Sequence, residues 1–292
     1  MGIAEDGTSG GSGSDSGGSG GGSGSGSRGG SGGASGGTEG AAAREADRVR
    51  ERRRARLAAY DELRSMRPEL FENPPGAAVE ILLDGADQDE VTRQTAESAV
   101  AFGLSEDVGD IGVVYRDPYL RLVRDAVRFR SGRLGTYIRA VGDTAIGGAA
   151  ALPVLSDGRI VLLHHFRHAT RAWHWEIPRG FGEAGEGGEA TARREAREEL
   201  GCEVREVVHL GSFASDSGLS AVADQLYLAR VEADDFSEEP DEGALEEGIA
   251  RRLALTPEAF HAMLVDGAIS DGYTLSAYGL ATARGLLERP GG

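Results

Sequence analysis

Three glutamates near the middle of the chain have a spacing that suits chemistry. Glu195, Glu198 and Glu199 stand within a segment, Glu189 to Leu200, that lacks glycine and is rich in Ala, Arg and Glu. This composition favours an α-helix, and residues three or four positions apart lie on the same helix face. Crowded carboxylates repel one another unless a cation neutralises them. Because Mg²⁺ prefers oxygen ligands and is often shared with substrate phosphates, the spacing predicts a metal site for phosphate-ester or pyrophosphate chemistry. The alternative is a solvated helix carrying Arg–Glu pairs.

The residues around this helix indicate where it begins and how it packs. The preceding segment, 180–188, is too rich in glycine to hold a regular helix, and Gly201 is predicted to end the helix. Ala192, Ala196 and Leu200 recur every four positions and form a thin apolar stripe. We therefore expect a glycine loop that leads into a short helix, with one side buried and the carboxylates lining a cavity.

The same stretch resembles the signature of the Nudix hydrolase superfamily, G-x5-E-x7-R-E-U-x-E-E-x-G-U, where U is a bulky apolar residue. The fixed positions are all matched, by Gly180, Glu186, Arg194, Glu195, Glu198, Glu199 and Gly201. The U positions hold Ala196 and Cys202, which are apolar but small. A motif with this many fixed positions is far more specific than a short glycine motif.

The likeness extends to the ADP-ribose pyrophosphatase branch of that superfamily. The lead-in HHFRHATRAWHWEIPRG is similar to the branch's strand, which has an arginine near its end and then an E-[LI]-P-x-G segment. Together with flanking similarities, the resemblance covers about residues 110–288. It implies an α/β/α sandwich with a mixed sheet, and the order of strands, one central helix, strands and a closing helix in the sequence agrees with that fold.

The resemblance also implies catalytic and metal-binding roles. Glu195 and Glu199 would be the principal ligands of Mg²⁺, or of Mn²⁺ in its place. Glu198 would be a further ligand or would bind a water on the metal. A backbone carbonyl at Arg179 or its neighbour would complete the site.

By the same likeness, Arg167 and Glu176 would bind the substrate, with the guanidinium holding the diphosphate. Glu186 and Arg194 would close the loop against the helix as an ion pair. The reaction implied is hydrolysis of a diphosphate bond in a nucleoside diphosphate linked to another group, such as ADP-ribose. Cleavage of a nucleoside triphosphate and a catalytically silent, nucleotide-sensing domain are the alternatives.

Three glutamates are candidates for the general base. The loop 215–224 contains no glutamate, although related enzymes often carry their base on such a loop. Glu246 and Glu247 lie in a later acidic segment, and Glu198 is the third candidate. Residues 232–247 are so acidic that repulsion is expected to keep them extended.

Composition narrows the class of protein. The chain has 292 residues, a formal net charge of −17, one cysteine and no lysine. Such a charge offers no general attraction for nucleic acid or an anionic membrane. A single cysteine excludes an internal disulfide, and neither a signal-peptide core nor a long apolar run is present. These features predict a cytoplasmic protein that binds neither nucleic acid nor membrane.

Composition changes along the chain predict three regions. Residues 1–43 are mostly Gly and Ser and are expected to form a disordered tail. Residues 44–110 are predicted to be a helical extension, and residues 111–292 the Nudix hydrolase domain. Alternating apolar positions in 113–141 predict an added sheet, and a homodimer would cover its edge and apolar face.

The histidine- and tryptophan-rich stretch before the glycine loop raises the question of a second metal site. His164 and His165 are neighbours on a predicted strand, so they point to opposite faces and cannot easily share an ion. Trp173 and Trp175 lie on one face, where they stack on a base or pack in a core or an interface.

Overall fold

The computed structural model describes residues 35–118, 120–142, 147–183 and 185–287, without the side chains of 35–39 and 42. The expected tail at 1–43 therefore falls mainly outside the described residues. The chain divides after Arg48 into two compact units, and every strand belongs to the second.

The helices and strands follow the sequence patterns closely. The helices are α1 (Ser35–Met66), α2 (Gly85–Ala101), α3 (Gly188–Leu200), α4 (Glu242–Glu246), α5 (Pro257–Val265) and α6 (Gly272–Ala283). The strands are β1 (Val79–Ile81), β2 (Gly112–Arg116), β3 (Arg121–Phe129), β4 (Leu134–Val141), β5 (Ala149–Leu155), β6 (Ile160–Arg167), β7 (Ala172–Glu176), β8 (Arg179–Gly180), β9 (Val204–Phe213), β10 (Asp224–Val231) and β11 (Ile249–Leu255).

The first four strands form an antiparallel sheet around β3. Both β1 and β2 pair with one edge of β3, and β4 pairs with the other. The sheet therefore takes a strand, β1, from the segment predicted to be a helical extension. Helix α1 packs on the sheet through Tyr60 and Leu63, which lie in one buried cluster with Phe71, Val123 and Val141.

The larger sheet is mixed and carries the site. Strand β10 runs parallel to β5 and antiparallel to β9, while β11 is antiparallel to β6. The predicted hairpin of β5 and β6 is paired only at Val154 and Ile160. Beyond that point the two strands separate, and the gap is filled by β8, which pairs with β5, and β7, which pairs with β6.

Helices cover both faces of the larger sheet. Helix α3 packs on one face through Ala192, Ala196 and Leu200, and α5 and α6 pack on the other through Phe260 and Ala277, among others. The α/β/α sandwich with a mixed sheet and an N-terminal sheet and helix extension is thus confirmed. Among helices in the described residues, none has both the length and the apolar content needed to cross a bilayer.

The prediction of an extended acidic segment at 232–247 was wrong. It contains a short 3-10 turn at Ala233–Asp235 and the helix α4. Ala244 of α4 is buried in the core beneath α3, and Asp241 at its N-cap pairs with Arg252. The burial of Ala244 and the ion pair with Arg252 outweigh the repulsion, and Glu232 is further neutralised by Arg205 at 3.1 Å.

Candidate active site

Helix α3 places its carboxylates by burying the opposite stripe. Ala192, Ala196 and Leu200 are almost fully buried, as their four-residue spacing predicts. The helix ends at Gly201, which has a φ of 69° and donates its N–H to the carbonyl of Arg197 at 2.9 Å. This left-handed residue closes the helix one position beyond Leu200, as glycine commonly does.

The three predicted glutamates share a flank of α3 but differ in burial. Glu199 is only 4% exposed, and its Oε2 accepts a hydrogen bond from the backbone N–H of Arg179 at 3.3 Å. The Glu195 side chain is 14% exposed and lies directly over Gly180, whereas that of Glu198 is 45% exposed. The carboxylates therefore form a row from the core to the surface.

Arg194 ties these carboxylates to the glycine loop. Its Nη1 donates to Glu195 at 2.7 Å and to Glu198 at 3.1 Å. Its Nη2 donates to the carbonyl of Phe181 at 2.9 Å and to Glu186 at 3.1 Å. The ion pair predicted between Glu186 and Arg194 is present, and together with the bond to Phe181 it anchors both ends of the loop to the middle of the helix.

The buried end of the row has little compensation for its negative charge. Burial, with the nearby charge of Glu195, raises the pKa of Glu199 to about 8. Burial also raises the pKa of Glu195, in spite of the bond from Arg194. The charge of Glu247 adds to both shifts, so Glu247 lies close enough to the row to repel it. A cation would relieve this repulsion.

With Arg194 lying between the carboxylates, the described part of the chain holds no group of three His, Cys, Asp or Glu side chains gathered closely around one point. The available oxygens are nevertheless those a hard divalent cation prefers. Binding one would require Arg194 to release Glu195 or Glu198, while Glu186 and the Phe181 carbonyl keep the guanidinium in place.

A second polar group faces the row from the end of β6 and β7. Glu176 is 1% exposed, lies 3.0 Å from His165 Nδ1, and contacts the guanidinium of Arg167. Its other oxygen lies 3.5 Å from Nη2 of Arg179, which also lies 3.5 Å from Asp271. Burial alone would raise the pKa of Glu176, but the bonds from His165 and Arg167 outweigh it and lower the pKa to about 2.

Two guanidiniums in this group retain unused donors. The Nε atoms of Arg167 and Arg179 are buried and have no hydrogen-bond partner within the described residues. A buried donor without a partner is costly, and an anion is the ligand that would satisfy it. Structure thus brings Arg167, Glu176 and Arg179 together beside Glu199.

Sequence reasoning missed the support beneath Arg179. The Arg179 guanidinium lies 4.5 Å above the ring of Tyr273, whose hydroxyl donates to Asp224 at 2.6 Å. The other oxygen of Asp224 accepts the N–H of Gly148 at 2.8 Å. Asp271 could have been found as the residue that caps α6, since it accepts the N–H of Thr274 at 2.9 Å. No local pattern marks Asp224 or Tyr273.

An open cavity of about 430 Å³ adjoins the glycine loop. Its lining includes Pro118 and Leu120 from the β2–β3 connection, Ala140 of β4, and Phe181 and Tyr273. Phe181 is 76% exposed. The N-terminal sheet and its β2–β3 connection therefore line a space next to the glycine loop and Tyr273.

The aromatic stretch before the loop lies on the opposite face of the sheet. His164 stacks on Trp173 and Trp175 with ring centroids 4.9 and 4.5 Å apart, while His165 turns towards Glu176. The two histidines point to opposite faces, as expected, and Trp175 packs against the core under α5 and α6.

Comparison with known proteins identifies the region that carries this site. The family model of the NUDIX domain matches residues 146–267. The chain is 34% identical over 95 residues to the CMP-5'-(N-acetyl-N-hydroxy-3-aminopropyl)phosphonate hydrolase of Streptomyces rubellomurinus, covering 32% of this chain and 43% of that protein. It is 32% identical over 83 residues to the ADP-ribose pyrophosphatase of Bacillus subtilis, covering 28% of this chain and 45% of that protein.

Two further similarities complete the comparison. The chain is 33% identical over 84 residues to the methanol dehydrogenase activator of Bacillus methanolicus, covering 29% of this chain and 45% of that protein. A solved structure of an ADP compounds hydrolase aligns with a TM-score of 0.48 at 17% identity, over 59% of this chain and 89% of the other. The matched segments thus span less than half the length of each of the three sequence relatives.

Proposed function

Because residues 146–267 match the family model of the NUDIX domain, we propose that the chain hydrolyses a diphosphate bond in a nucleoside diphosphate linked to another group, with ADP-ribose or a similar nucleotide sugar as substrate. The names of two relatives, an ADP-ribose pyrophosphatase and a hydrolase of a CMP-linked phosphonate, describe compounds of this kind. The proposal depends above all on one observation, the row of carboxylates on α3 beside two half-buried arginines whose buried Nε–H groups lack a partner among the described residues.

Glu195, Glu198 and Glu199, with a backbone carbonyl at Arg179, are the proposed metal ligands. The uncompensated burial of Glu199 and the oxygen-only donor set fit a hard divalent cation, and Mg²⁺ is our first choice. When bound, such a cation neutralises phosphate charge and lowers the pKa of a water molecule.

The chain's own side chains would bind and orient the substrate. Arg167 and Arg179 would each turn an unused Nε–H towards a phosphate oxygen, since guanidinium geometry suits phosphate. Glu176 would hold both guanidiniums in position. The stacked arrangement of Arg179 on Tyr273 limits the directions in which its guanidinium can point.

Among the three candidate bases, Glu247 is the one we favour. It follows α4 directly, and its charge acts on both Glu195 and Glu199. Glu198, by contrast, already accepts a hydrogen bond from Arg194 at 3.1 Å. Glu247 would accept a proton from the attacking water.

A substrate panel tests the proposal. Nucleotide sugars, dinucleotides and nucleoside triphosphates should be offered with Mg²⁺, and products identified by chromatography. The expected result is that a nucleotide sugar releases one nucleoside monophosphate and one sugar phosphate. Preferred release of pyrophosphate from a triphosphate would favour the first alternative. Tight nucleotide binding without turnover would favour the sensing domain, which the intact row of glutamates argues against.

We further propose that the enzyme is a homodimer and acts in the cytoplasm. The first sheet leaves Tyr137 and Ile138 of β4 and Leu120 each 40% exposed, and burying such apolar area would stabilise a second subunit there. The chain's single cysteine suits a reducing compartment. Light scattering at micromolar concentration tests the dimer, and a monomer mass with full activity would contradict it.

A further inference from the structure

Arg252 of β11 is a buried cation that the proposed chemistry does not use. The residue is 3% exposed, yet its guanidinium donates to three separate acceptors. Nε donates to the carbonyl of Glu199 at 2.8 Å, Nη1 to the carbonyl of Glu239 at 3.2 Å, and Nη2 to Oδ2 of Asp241 at 2.8 Å. Burying a guanidinium is costly unless it is paired and hydrogen-bonded, and these bonds meet that need.

The three acceptors belong to two parts of the site. Glu199 is the buried member of the carboxylate row and stands in the last turn of α3, so Arg252 holds the backbone end of that helix. Glu239 and Asp241 lead into α4, the short helix that precedes Glu247. One guanidinium therefore connects the catalytic helix to the segment that bears the favoured base.

Asp241 links Arg252 to helix α4. Its Oδ2 binds Arg252, while its Oδ1 caps the helix by accepting the N–H of Ala244 at 3.0 Å. Ala244 is 2% exposed and lies in the core with the apolar stripe of α3. A helix of five residues has little stability of its own, so these contacts determine where it sits.

The far end of the segment is tied down as well. The N–H of Glu247 donates to the carbonyl of Gly243 at 3.1 Å, and the carbonyl of Gly248 accepts the N–H of Phe166 at 3.0 Å. Glu247 thus lies between an anchor on β6 and an anchor on Arg252. A Cβ on the next residue, Gly248, would lie 3.7 Å from Cδ2 of His165, so this turn sits against the histidine that contacts Glu176.

The signature glycine makes room for this connection. A Cβ on Gly201 would lie 2.8 Å from Oδ2 of Asp241 and 2.9 Å from Nη1 of Arg252. These separations are too short for a carbon atom, so any larger residue would push apart the ion pair in addition to straining a left-handed backbone.

From these contacts we infer that Arg252 is a positioning residue, which couples the C-terminal turn of α3 to α4 through Asp241 and so places Glu247 opposite Glu195 and Glu199. The inference rests on the proposed function for the role of Glu247, whereas the coupling itself is a property of the fold. One experiment therefore tests the coupling itself, and a second tests its effect on the role of Glu247.

The first experiment measures the coupling without activity. Hydrogen–deuterium exchange should be compared in the full-length wild type, Arg252→Lys and Arg139→Lys. Lysine keeps the charge but lacks the fork that reaches three acceptors at once. Arg139 of β4 is a matched control, because it is also largely buried. Its partners are Asp125 of β3 and the carbonyl of Leu70, in the turn after α1.

We expect Arg252→Lys to speed exchange in residues 241–248 by about tenfold or more while leaving β3 and β4 unchanged. Arg139→Lys should do the reverse. Unchanged exchange in 241–248 for Arg252→Lys would overturn the inference. If Arg252→Lys does not fold, Asp241→Asn replaces it, because asparagine keeps the capping oxygen and loses only the charge on Arg252's partner.

The second experiment is a kinetic cycle on the best substrate of the panel. Arg252→Lys should lower kcat about tenfold with KM within about twofold, and should change the pH profile of kcat in the same way as Glu247→Gln. The double variant should be no slower than Glu247→Gln alone, since both changes act through one group. If the losses of kcat in the two single variants multiply in the double variant, the inference is overturned. It is also overturned if Glu247→Gln is fully active while Arg252→Lys is slow.

The two proposals can fail separately. A wild type that hydrolyses no compound of the panel refutes the proposed function, and the exchange experiment still decides whether Arg252 holds the segment. Faster exchange in Arg252→Lys with normal kinetics refutes the positioning role while leaving the proposed hydrolysis intact.

Discussion

The carboxylate of Glu195 occupies the space in which any residue other than glycine would place its Cβ at position 180. Gly180 pairs with Ala149 in the larger sheet, so the backbone there cannot move aside freely. The glycine that opens the signature is therefore required by its contact with the Glu195 carboxylate, in addition to any need for loop flexibility.

The first prediction follows from this contact. Gly180→Ala should displace the Glu195 carboxylate and lower kcat by on the order of 10²-fold, since small displacements of positioned groups are costly in catalysis. Gly187→Ala is the matched control, because a Cβ there meets nothing within 4 Å and φ is −88°. Equal kinetics in the two variants would show that Glu195 is not needed where it lies.

The second prediction concerns the buried ligand. Glu199→Gln should keep the fold and lower kcat by on the order of 10²-fold, because a proposed metal ligand is lost. Thermal unfolding supplies a second readout: Mg²⁺ should raise the Tm of the wild type and leave that of the variant almost unchanged. Wild-type activity together with a wild-type response to Mg²⁺ would remove Glu199 from the site.

The third prediction concerns substrate binding. Arg167→Lys should raise KM about tenfold, because lysine lacks the Nε–H that has no partner in the described part of the chain. Arg171→Lys serves as control, since Arg171 is exposed and stacks on Phe166 away from the carboxylates. A KM that stays constant in Arg167→Lys would mean that the phosphates bind elsewhere.

The fourth prediction tests the attachment of α1 to the first sheet. The Tyr60 hydroxyl donates to buried Asp125 at 2.6 Å, so Tyr60→Phe should lower the free energy of unfolding by about 1–2 kcal/mol. Tyr115→Phe removes a similar bond of 2.7 Å to Asp117 at an exposed position and should cost less than about 0.5 kcal/mol. Urea unfolding measures both, and equal losses would show that burial of the bond is unimportant.

Most elements could be predicted because their signals are local. The ends of α3 at the glycine loop and Gly201, and the helix that starts at Pro257 after Thr256, follow from capping and helix propensity alone. The acidic segment 232–247 was misjudged because its order depends on Arg252 and on the burial of Ala244. Those contacts come from strands and helices that no local pattern links to the segment.

By itself, the sequence determined which side chains can do the chemistry. The spacing of Glu195, Glu198 and Glu199 places them on one flank of a helix whatever surrounds it, because that relation depends only on helical periodicity. The same is true of the apolar stripe that buries the opposite side. Local rules of this kind need no knowledge of the remaining fold.

Only the tertiary structure decided how those side chains differ from one another. Glu199 is buried and Glu198 exposed because β8 approaches one end of the row and solvent the other. The opening between β5 and β6 admits β7 and β8, and this insertion brings Glu176 and Arg179 beside α3. Burial and electrostatic environment arise from contacts between distant segments, so they could not be obtained from spacing along the chain.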